Sequence, residues 1–304
     1  MTKAFIFPGQ GSQYVGMGSD LYDAFDNVRE RYTCANDILG YDLAKISFLG
    51  PAEKLRGTQF TQPAIFVHSI IIDEHLKSSG FNPQAVAGHS LGEFSALVSC
   101  EVLSFEDALK IIKVRSHEMA HANKINPGTM VAIIGINDEE LQIICNQSGI
   151  VVPANINAPG QIVISGEIGA INTAIKTAKS LGIRKIIPLN VAGAFHSPLM
   201  ISAREPLKEI ISSVNFHNAK IPIYQNVNAK GEINSTIIQK NIIDQLEKPV
   251  LWSNTIIKMI QDGITNFFEL GPGMILKGLN QRINKEMITQ NFEKIEHLDT
   301  HAIL

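Results

Sequence analysis

A serine stands between two glycines in the stretch Gly88-His89-Ser90-Leu91-Gly92, a G-x-S-x-G pattern. The residues before it, PQAVAG, predict a short buried strand, and those after it, EFSALVSCEVL, predict a helix. A sharp strand-to-helix turn needs small flanking residues and lifts the serine oxygen away from the sheet. The N–H groups that follow would lie at a helix N-terminus, where they favour developing negative charge. We therefore predict that Ser90 is a nucleophile, and the alternative is a serine that only caps the helix.

A serine hydroxyl is a weak nucleophile and needs a base within hydrogen-bond reach. Among nine histidines, His196 ends a predicted strand in NVAGAFHSPLM, just before Pro198, where the chain would reach a cleft. His89 precedes the serine and should point away from it. Each remaining histidine lies where a solvated or core role is more usual: His68, His75, His117, His121, His217, His297 and His301. We predict His196 as the base, with a structural histidine as the alternative. No Asp or Glu stands where it would orient the imidazole, so a main-chain carbonyl could do so.

The elements that would position these two residues fall into two groups. Up to residue 127, and again from residue 193, predicted strands and helices alternate, which favours a large α/β domain. Residues 128–192 instead predict the order β-α-β-β-α-β, the ferredoxin-like pattern. We expect a large α/β-hydrolase-like domain of residues 1–127 and 193–304, with a small ferredoxin-like subdomain of residues 128–192 inserted into it and a cleft between them.

Four helices are predicted close to the candidate residues, at 62–79, 105–122, 234–246 and 253–262. Ser104 is the expected N-cap of the second helix, because it precedes the helix and Asp107 follows three positions later.

Composition limits the class of function. With 304 residues, 45% of them apolar and 18% charged, the chain can bury a sizeable core. A net charge of −3 without a Lys/Arg-rich run argues against nucleic-acid binding. Cys34, Cys100 and Cys145 are widely spaced and form no C-x-x-C pair, which fits a reducing compartment and neither a disulfide framework nor a zinc site. Without a signal peptide or a membrane-length apolar run, we expect a soluble cytoplasmic protein that binds no metal, no membrane and no nucleic acid.

Eight segments resemble, in order, the malonyl-CoA:acyl-carrier-protein transacylase family and the related acyltransferase domains of polyketide synthases. They are FIFPGQGSQYVGMG, TQPAIF, GHSLGEFSAL, VRSHEM, NINAPGQIVISG, GAFHSPLM, PVLWSNTI and FFELGPGMILKGL. They run from residue 4 to about residue 283. The resemblance implies that Ser90 is the nucleophile and His196 its base. It also implies that the main-chain N–H groups of Gln10 and Leu91 stabilise the oxyanion, and that the main-chain carbonyl of Gln245 orients His196.

Arg115 lies on the predicted helix 105–122, where the residues alone suggest an exposed arginine paired with Glu118. The resemblance instead implies that Arg115 binds the free carboxylate of a malonyl group, a task that suits a planar guanidinium. Acetyl-CoA lacks that carboxylate and would leave Arg115 unpaired. The resemblance also associates Phe195 with selectivity for malonyl over methylmalonyl, since a ring beside the acyl α-carbon leaves less room for a branch.

The substrates that the resemblance implies are malonyl-CoA and a phosphopantetheinylated acyl carrier protein, used in fatty-acid or polyketide synthesis without a permanently bound cofactor. Carrier proteins of this kind are acidic, so four basic residues could receive the carrier or the CoA phosphates, unless they are ordinary solvated charges: Arg184, Lys185, Lys277 and Arg282. A monomer is expected.

Three other functions remain open besides a discrete trans-acting polyketide acyltransferase. A hydrolase that clears acyl groups from carrier proteins would share Ser90 and His196 but would have little use for Arg115. A non-catalytic scaffold that binds carrier proteins would not need the whole set of residues. A general esterase would need an acid between the serine and the histidine, and no ferredoxin-like insertion.

Overall fold

The computed structural model of the protein describes residues 2–298. A six-stranded sheet lies at the centre of the larger part of the molecule. In spatial order its strands are β10 (Ile288–Phe292), β9 (Asn266–Leu270), β1 (Lys3–Phe7), β2 (Ala85–Gly88), β7 (Ile223–Tyr224) and β8 (Gly231–Glu232). Neighbouring strands are parallel except for the β7–β8 pair. Strands β1, β2 and β9 are almost wholly buried. That burial explains why the segments KAFIF, AVAG and NFFEL consist mainly of apolar residues rather than of alternating apolar and polar ones.

Residues 128–188 form a second, four-stranded antiparallel sheet with the spatial order β4-β5-β3-β6. Its strands are β3 (Gly128–Ile134), β4 (Val151–Ala158), β5 (Gln161–Glu167) and β6 (Lys185–Pro188). Helix α8 follows β3 and α9 follows β5, so the elements occur in the predicted order. The sheet and its helices share an apolar cluster of their own. This part of the chain is therefore a second centre of packing within a mixed α/β fold.

The helices of the described residues, numbered in chain order, cover both sheets. They are α1 (Ser19–Ala24), α2 (Asp26–Leu39), α3 (Leu43–Leu49), α4 (Ala52–Arg56), α5 (Thr58–Ser78), α6 (Gly92–Ser99), α7 (Phe105–Ile125), α8 (Asp138–Cys145), α9 (Ile168–Ser180), α10 (Arg204–Ser212), α11 (Ser235–Asp244), α12 (Trp252–Gln261) and α13 (Ile275–Ile283). Short 3-10 helices cover Pro198–Ala203 and Ile295–His297. Within residues 2–298, no helix has the length and apolar content needed to cross a membrane.

Main-chain hydrogen bonds join β4 to Val250, which lies outside the strands of the six-stranded sheet. The N–H of Ile156 donates to the carbonyl of Val250 at 2.9 Å, and the N–H of Val250 donates to the carbonyl of Ala154 at 2.8 Å. Helices α12 and α13 pack against the same strand. The antiparallel sheet is thus attached directly to the region that follows α11.

Two predicted helix boundaries were wrong. The helix expected at 62–79 begins earlier, at Thr58, and carries Pro63 inside it. Pro63 has no N–H to donate to the carbonyl of Gln59, and that carbonyl accepts from the hydroxyl of Tyr41 at 2.9 Å instead. The helix expected through EFSALVSCEVL stops at Ser99, because Glu101 adopts a left-handed conformation with φ of 62°.

The predicted cap of α7 is confirmed. The side chain of Ser104 accepts from the N–H of Asp107 at 3.0 Å. The helices predicted at 234–246 and 253–262 are observed as α11 and α12, with ends shifted by one or two residues.

Candidate active site

The turn between β2 and α6 has no room for a side chain at either glycine. A Cβ atom at Gly88 would lie 1.9 Å from the carbonyl carbon of Gly92, and one at Gly92 would lie 2.0 Å from the carbonyl oxygen of Phe7. Ser90 between them has a positive φ of 51°, a strained conformation for a residue with a side chain. Asn226 holds the turn, because its Oδ1 accepts from the Ser90 N–H at 2.8 Å and its Nδ2 donates to the Gly88 carbonyl at 2.6 Å. The turn therefore presents the serine side chain in one fixed direction.

His196 lies beside Ser90, with its Nε2 atom 2.7 Å from the Oγ atom of the serine. Its Nδ1 atom is 2.8 Å from the main-chain oxygen of Gln245. A carbonyl oxygen only accepts, so Nδ1 carries the proton and Nε2 is free to accept the proton of the serine hydroxyl. The structure thus brings Ser90, His196 and Gln245 together in the order that the resemblance implied.

The imidazole of His196 is held in its neutral form. The residue is 3% exposed, and this burial together with the positive charge of Arg115 lowers the pKa of His196 to about 3. A weakly basic imidazole is still competent as a proton acceptor when the hydroxyl and the base are already hydrogen-bonded. His196 is therefore available as a base, rather than protonated, throughout the neutral range.

The loop after β1 contacts the serine turn and carries Gln10. A Cβ atom at Gly9 would lie 2.5 Å from the carbonyl oxygen of His89, so glycine allows the two segments to touch. Within residues 2–298, the main-chain N–H groups of Gln10 and Leu91 donate to no protein acceptor. Leu91 also directly precedes α6. Two free donors are thus present on the segments that meet at Ser90, as an oxyanion site requires.

The alternative in which Arg115 is exposed and paired with Glu118 is wrong. Arg115 is 1% exposed, and its guanidinium lies 5.3 Å from the ring centroid of Phe94. Glu118 instead lies beside two histidines of the same helix. The side chain of Arg115 points into the protein because its position on α7 faces the serine turn. The helical pattern of the segment did not predict this orientation.

Arg115 donates only to neutral groups. Its partners are Gln62 Oε1 at 2.7 Å, Gln245 Oε1 at 2.9 Å and Ser90 Oγ at 3.2 Å. Burial lowers the pKa of Arg115 to about 10, against the attraction of Glu93. The residue therefore stays charged at neutral pH and lacks, among the described residues, a carboxylate within ion-pair distance. A buried cation of this kind favours an anionic ligand.

Sequence reasoning missed a set of buried polar residues behind the serine. Glu93 is fully buried and accepts from Gln245 Nε2 at 2.8 Å, from the Asn226 N–H at 3.1 Å and from Gln225 Nε2 at 3.0 Å. Gln62 donates to Gln10 Oε1 at 3.1 Å. The available signal was a polar residue inside an otherwise apolar motif, as with the glutamate of GHSLGEFSAL and the glutamine of TQPAIF.

Among the described residues, the remaining candidates make no hydrogen bond to the side chains of Ser90 and His196. His89 points away from Ser90, as expected, and its Nε2 is 2.8 Å from Asn157 Oδ1 on β4. Phe195 is buried in the main apolar cluster. The four basic candidates have no hydrogen bond to the pair: Arg184 and Lys185 are exposed at the start of β6, Lys277 is half-buried on α13, and Arg282 donates to Gln161. His301 is outside the described residues. Within residues 2–298, no cluster of three His, Cys, Asp or Glu side chains could hold a metal ion.

Comparisons with known proteins agree with this geometry. Residues 4–295 match the Acyl transferase domain family. The chain is 41% identical over 301 residues to the malonyl CoA-acyl carrier protein transacylase of Staphylococcus aureus strain MRSA252, with 97% of each chain covered. An acyl carrier protein S-malonyltransferase from Vibrio cholerae superposes with a TM-score of 0.94 at 36% identity, covering 99% of this chain and 100% of that one. A malonyl-transacylase solved in complex with a type II PKS acyl-carrier protein superposes with a TM-score of 0.95 at 36% identity, covering 99% and 98%.

These matches first define the class of the protein, an acyltransferase. The chain belongs to the malonyl-CoA:acyl-carrier-protein transacylase family, which confirms the resemblance carried by its sequence motifs.

Proposed function

We propose that the protein transfers a malonyl group from malonyl-CoA to the phosphopantetheine thiol of an acyl carrier protein. The observation that carries this proposal is Arg115, a buried cation 3.2 Å from Ser90 Oγ whose hydrogen-bond partners are all neutral. The free carboxylate of a malonyl group on Ser90 would supply the missing countercharge. An acyl group without a carboxylate would leave the guanidinium of Arg115 without a countercharge.

In the first step, Ser90 Oγ attacks the thioester carbonyl of malonyl-CoA while His196 Nε2 accepts the hydroxyl proton. The resulting oxyanion is stabilised by the N–H groups of Gln10 and Leu91. The carbon–sulfur bond then breaks, the proton passes from His196 to the departing sulfur, and CoA leaves as a thiol. The Gln245 carbonyl keeps the imidazole oriented and favours its transient positive charge.

In the second step, the phosphopantetheine thiol attacks the malonyl-serine ester. His196 now accepts the thiol proton and returns it to Ser90 Oγ as the ester bond breaks. One thioester is exchanged for another through a covalent intermediate, which is a ping-pong mechanism. Both steps balance without an external oxidant, reductant or cofactor.

Arg115 and Phe195 are proposed to set the acyl preference. A hydrogen bond to a charged group contributes about 1.5–3 kcal/mol, or about 10- to 100-fold in rate. Malonyl-CoA should be favoured over acetyl-CoA by at least that factor. Phe195 directly precedes His196 and is proposed to restrict branching at the acyl α-carbon.

An acyl carrier protein is the proposed partner. The complex solved for the 36% identical malonyl-transacylase supports it, and exposed Arg184 and Lys185 are proposed contacts for an acidic carrier. The pathway is proposed to be fatty-acid synthesis, with a discrete trans-acting polyketide acyltransferase as the second candidate, favoured by the PKS carrier of that complex. Three free cysteines support the proposal of a cytoplasmic location, and a monomer stays the expected state.

We further propose that residues 128–192 are a ferredoxin-like subdomain inserted into a hydrolase-like domain of residues 1–127 and 193–304. The strand order β4-β5-β3-β6, with one helix after β3 and one after β5, supports this assignment. The separate apolar cluster of the segment supports it as well. The outermost residues of the larger domain, 1 and 299–304, lie outside the described part.

The test is to mix the purified protein with malonyl-CoA alone and weigh the intact protein by mass spectrometry. Acetyl-CoA and the Ser90→Ala variant are the controls. A malonyl adduct that requires Ser90 and does not form from acetyl-CoA is expected. Free CoA without an adduct would favour a hydrolase. The absence of both the adduct and free CoA would contradict any catalytic function.

A further inference from the structure

His196 is oriented by a main-chain carbonyl, so the groups that hold Gln245 in place also determine how well the base is placed. Gln245 is fully buried, and its side chain makes contacts on both ends. Its Oε1 accepts from Arg115 at 2.9 Å, and its Nε2 donates to the Ser90 carbonyl at 3.0 Å and to Glu93 Oε2 at 2.8 Å. One residue therefore contacts the nucleophile, the base and the substrate-binding cation.

The orientation of the Gln245 amide is the critical detail. An amide can be rotated so that its nitrogen and oxygen exchange places, and each arrangement needs suitable partners on both sides. A carboxylate only accepts hydrogen bonds and a guanidinium only donates them. With Glu93 on one side and Arg115 on the other, the nitrogen must face Glu93 and the oxygen must face Arg115. A neutral, hydrogen-donating group in place of the carboxylate would remove the part of that constraint that comes from Glu93 and leave only the part that comes from Arg115.

Glu93 also supports the other side of the serine turn. Its Oε2 accepts from the N–H of Asn226, the residue whose side chain binds Ser90 and Gly88. Its Oε1 accepts from Gln225. The carboxylate is thus shared between the turn that presents Ser90 and the residue that orients His196. Burial of an ionised group is unfavourable, so a purely structural role here would be better filled by an uncharged side chain.

We propose that Glu93 is a positioning residue for acyl transfer, which acts through Gln245 on His196 and Arg115 although it touches neither. It takes the part that a triad acid has elsewhere, one residue removed from the imidazole. This inference rests on the proposed function, because it concerns the same reaction at Ser90.

The surroundings of Glu93 allow its charge to be tested. Its contacts are the amides of Gln225, Asn226 and Gln245, and the charged group that acts on it is Arg115 of α7. Burial raises the pKa of Glu93 to about 7, against these hydrogen bonds and the attraction of Arg115. At saturating malonyl-CoA, acylation of Ser90 should slow as the pH falls from about 8 to about 6. His196, with its pKa near 3, does not titrate in that range.

The experiment measures the rate of Ser90 acylation in a single turnover, by rapid quenching and intact mass, for the wild type and for Glu93→Gln. Glu269→Gln is the matched control. Glu269 is also buried, also has its pKa raised to about 7 by burial, and accepts from the N–H groups of Leu276 and Lys277 at the start of α13. We expect Glu93→Gln to slow acylation by about 10- to 100-fold and to flatten the pH profile of acylation. The reason is that the side-chain amide of Gln245 then has no charged acceptor at position 93. Glu269→Gln should stay within about twofold of the wild type.

Each outcome decides. If Glu93→Gln folds and acylates within about twofold of the wild type with the same pH profile, the inference is wrong. A wild type that forms no adduct refutes the proposed function itself, whatever the variant does. Should Glu93→Gln fail to fold, Glu93→Asp and the wild-type pH profile take its place. Asp keeps the charge but does not reach Gln245, so it should also acylate slowly. A wild-type rate that is flat from about pH 8 to about pH 6 would then overturn the inference.

Discussion

The serine turn at residues 88–92 and the antiparallel sheet of residues 128–188 differ in how tightly neighbouring atoms limit each residue. In the turn, the glycines have no room for a Cβ atom and Ser90 is held with a positive φ. In the antiparallel sheet and the helices packed on it, large apolar residues such as Ile187 of β6 and Ile143 of α8 remain substantially exposed. The first region places reacting atoms, whereas the second mainly needs a regular pattern to fold. Substitutions should therefore have very different consequences in the two regions.

The largest effect is expected from Gly92→Ala. The new methyl group would lie about 2.0 Å from the main-chain oxygen of Phe7, which cannot move without shifting β1. We expect more than about 3 kcal/mol of lost unfolding free energy, measured by urea denaturation, or no folded protein at all. Gly278→Ala in α13 is the control, because a Cβ atom there meets nothing within 4 Å. Equal losses for the two variants would show that the turn is not constrained as described.

The next effect is expected from Arg115→Ala. It should lower kcat/KM for malonyl-CoA by about 100-fold and leave the slow reaction with acetyl-CoA unchanged or faster, since only malonyl uses the guanidinium. Both values come from steady-state kinetics with each acyl-CoA. Lys113→Ala on the same helix is the control, because within residues 2–298 the side chain of Lys113 donates only to the Ile38 carbonyl, at the surface. A similar decrease with both acyl-CoA substrates would argue against carboxylate recognition.

A smaller effect is expected where the two regions meet. Asn157→Leu removes the partner of His89 Nε2 and frees the side chain next to Ser90. Acylation should slow by about three- to tenfold, corresponding to a net hydrogen bond of about 1 kcal/mol. Asn155→Leu is the control, since the Oδ1 of Asn155 has no hydrogen-bond partner among the described residues. If the two variants acylate equally, the antiparallel sheet does not influence the turn.

The smallest effect is expected from Ile143→Ser in α8. This side chain is half exposed, so the unfolding free energy should change by no more than about 0.5 kcal/mol. Ile144→Ser, at the fully buried neighbouring position, should cost about 2–4 kcal/mol. Thermal or urea unfolding measures both changes, and a large loss at position 143 would contradict the tolerance assigned to this region.

Sequence patterns predicted those features that depend on neighbouring residues. The strand before Ser90, the cap at Ser104 and the order of elements across 128–188 all follow from local periodicity and turn chemistry. The inward position of Arg115 did not, because helical periodicity gives a face but not the neighbour that faces it. Contacts such as Glu93 with Gln245 join residues 152 positions apart, and their partners cannot be inferred from either residue type alone.

Because Glu93 and Gln245 lie 152 positions apart, the sequence shows that a triad acid is absent but does not show which residue takes its role. Because no acid is suitably placed in the sequence, a main-chain carbonyl is expected to orient His196, and the resemblance implies that this carbonyl belongs to Gln245. The buried glutamate that holds Gln245 lies three residues after the serine, where a first-turn acidic residue is ordinarily explained by the helix dipole.

Ser90 and His196 share one backbone property, since their φ values of 51° and 55° are both left-handed. Each such conformation costs about 1–3 kcal/mol for a residue with a side chain, and glycine would adopt it freely. Replacing either of the two residues proposed to perform the chemistry by glycine would therefore relieve backbone strain and increase the unfolding free energy. A duplicated copy of the protein that is no longer selected for activity should therefore accept glycine at positions 90 and 196, and should then be more stable than the active enzyme.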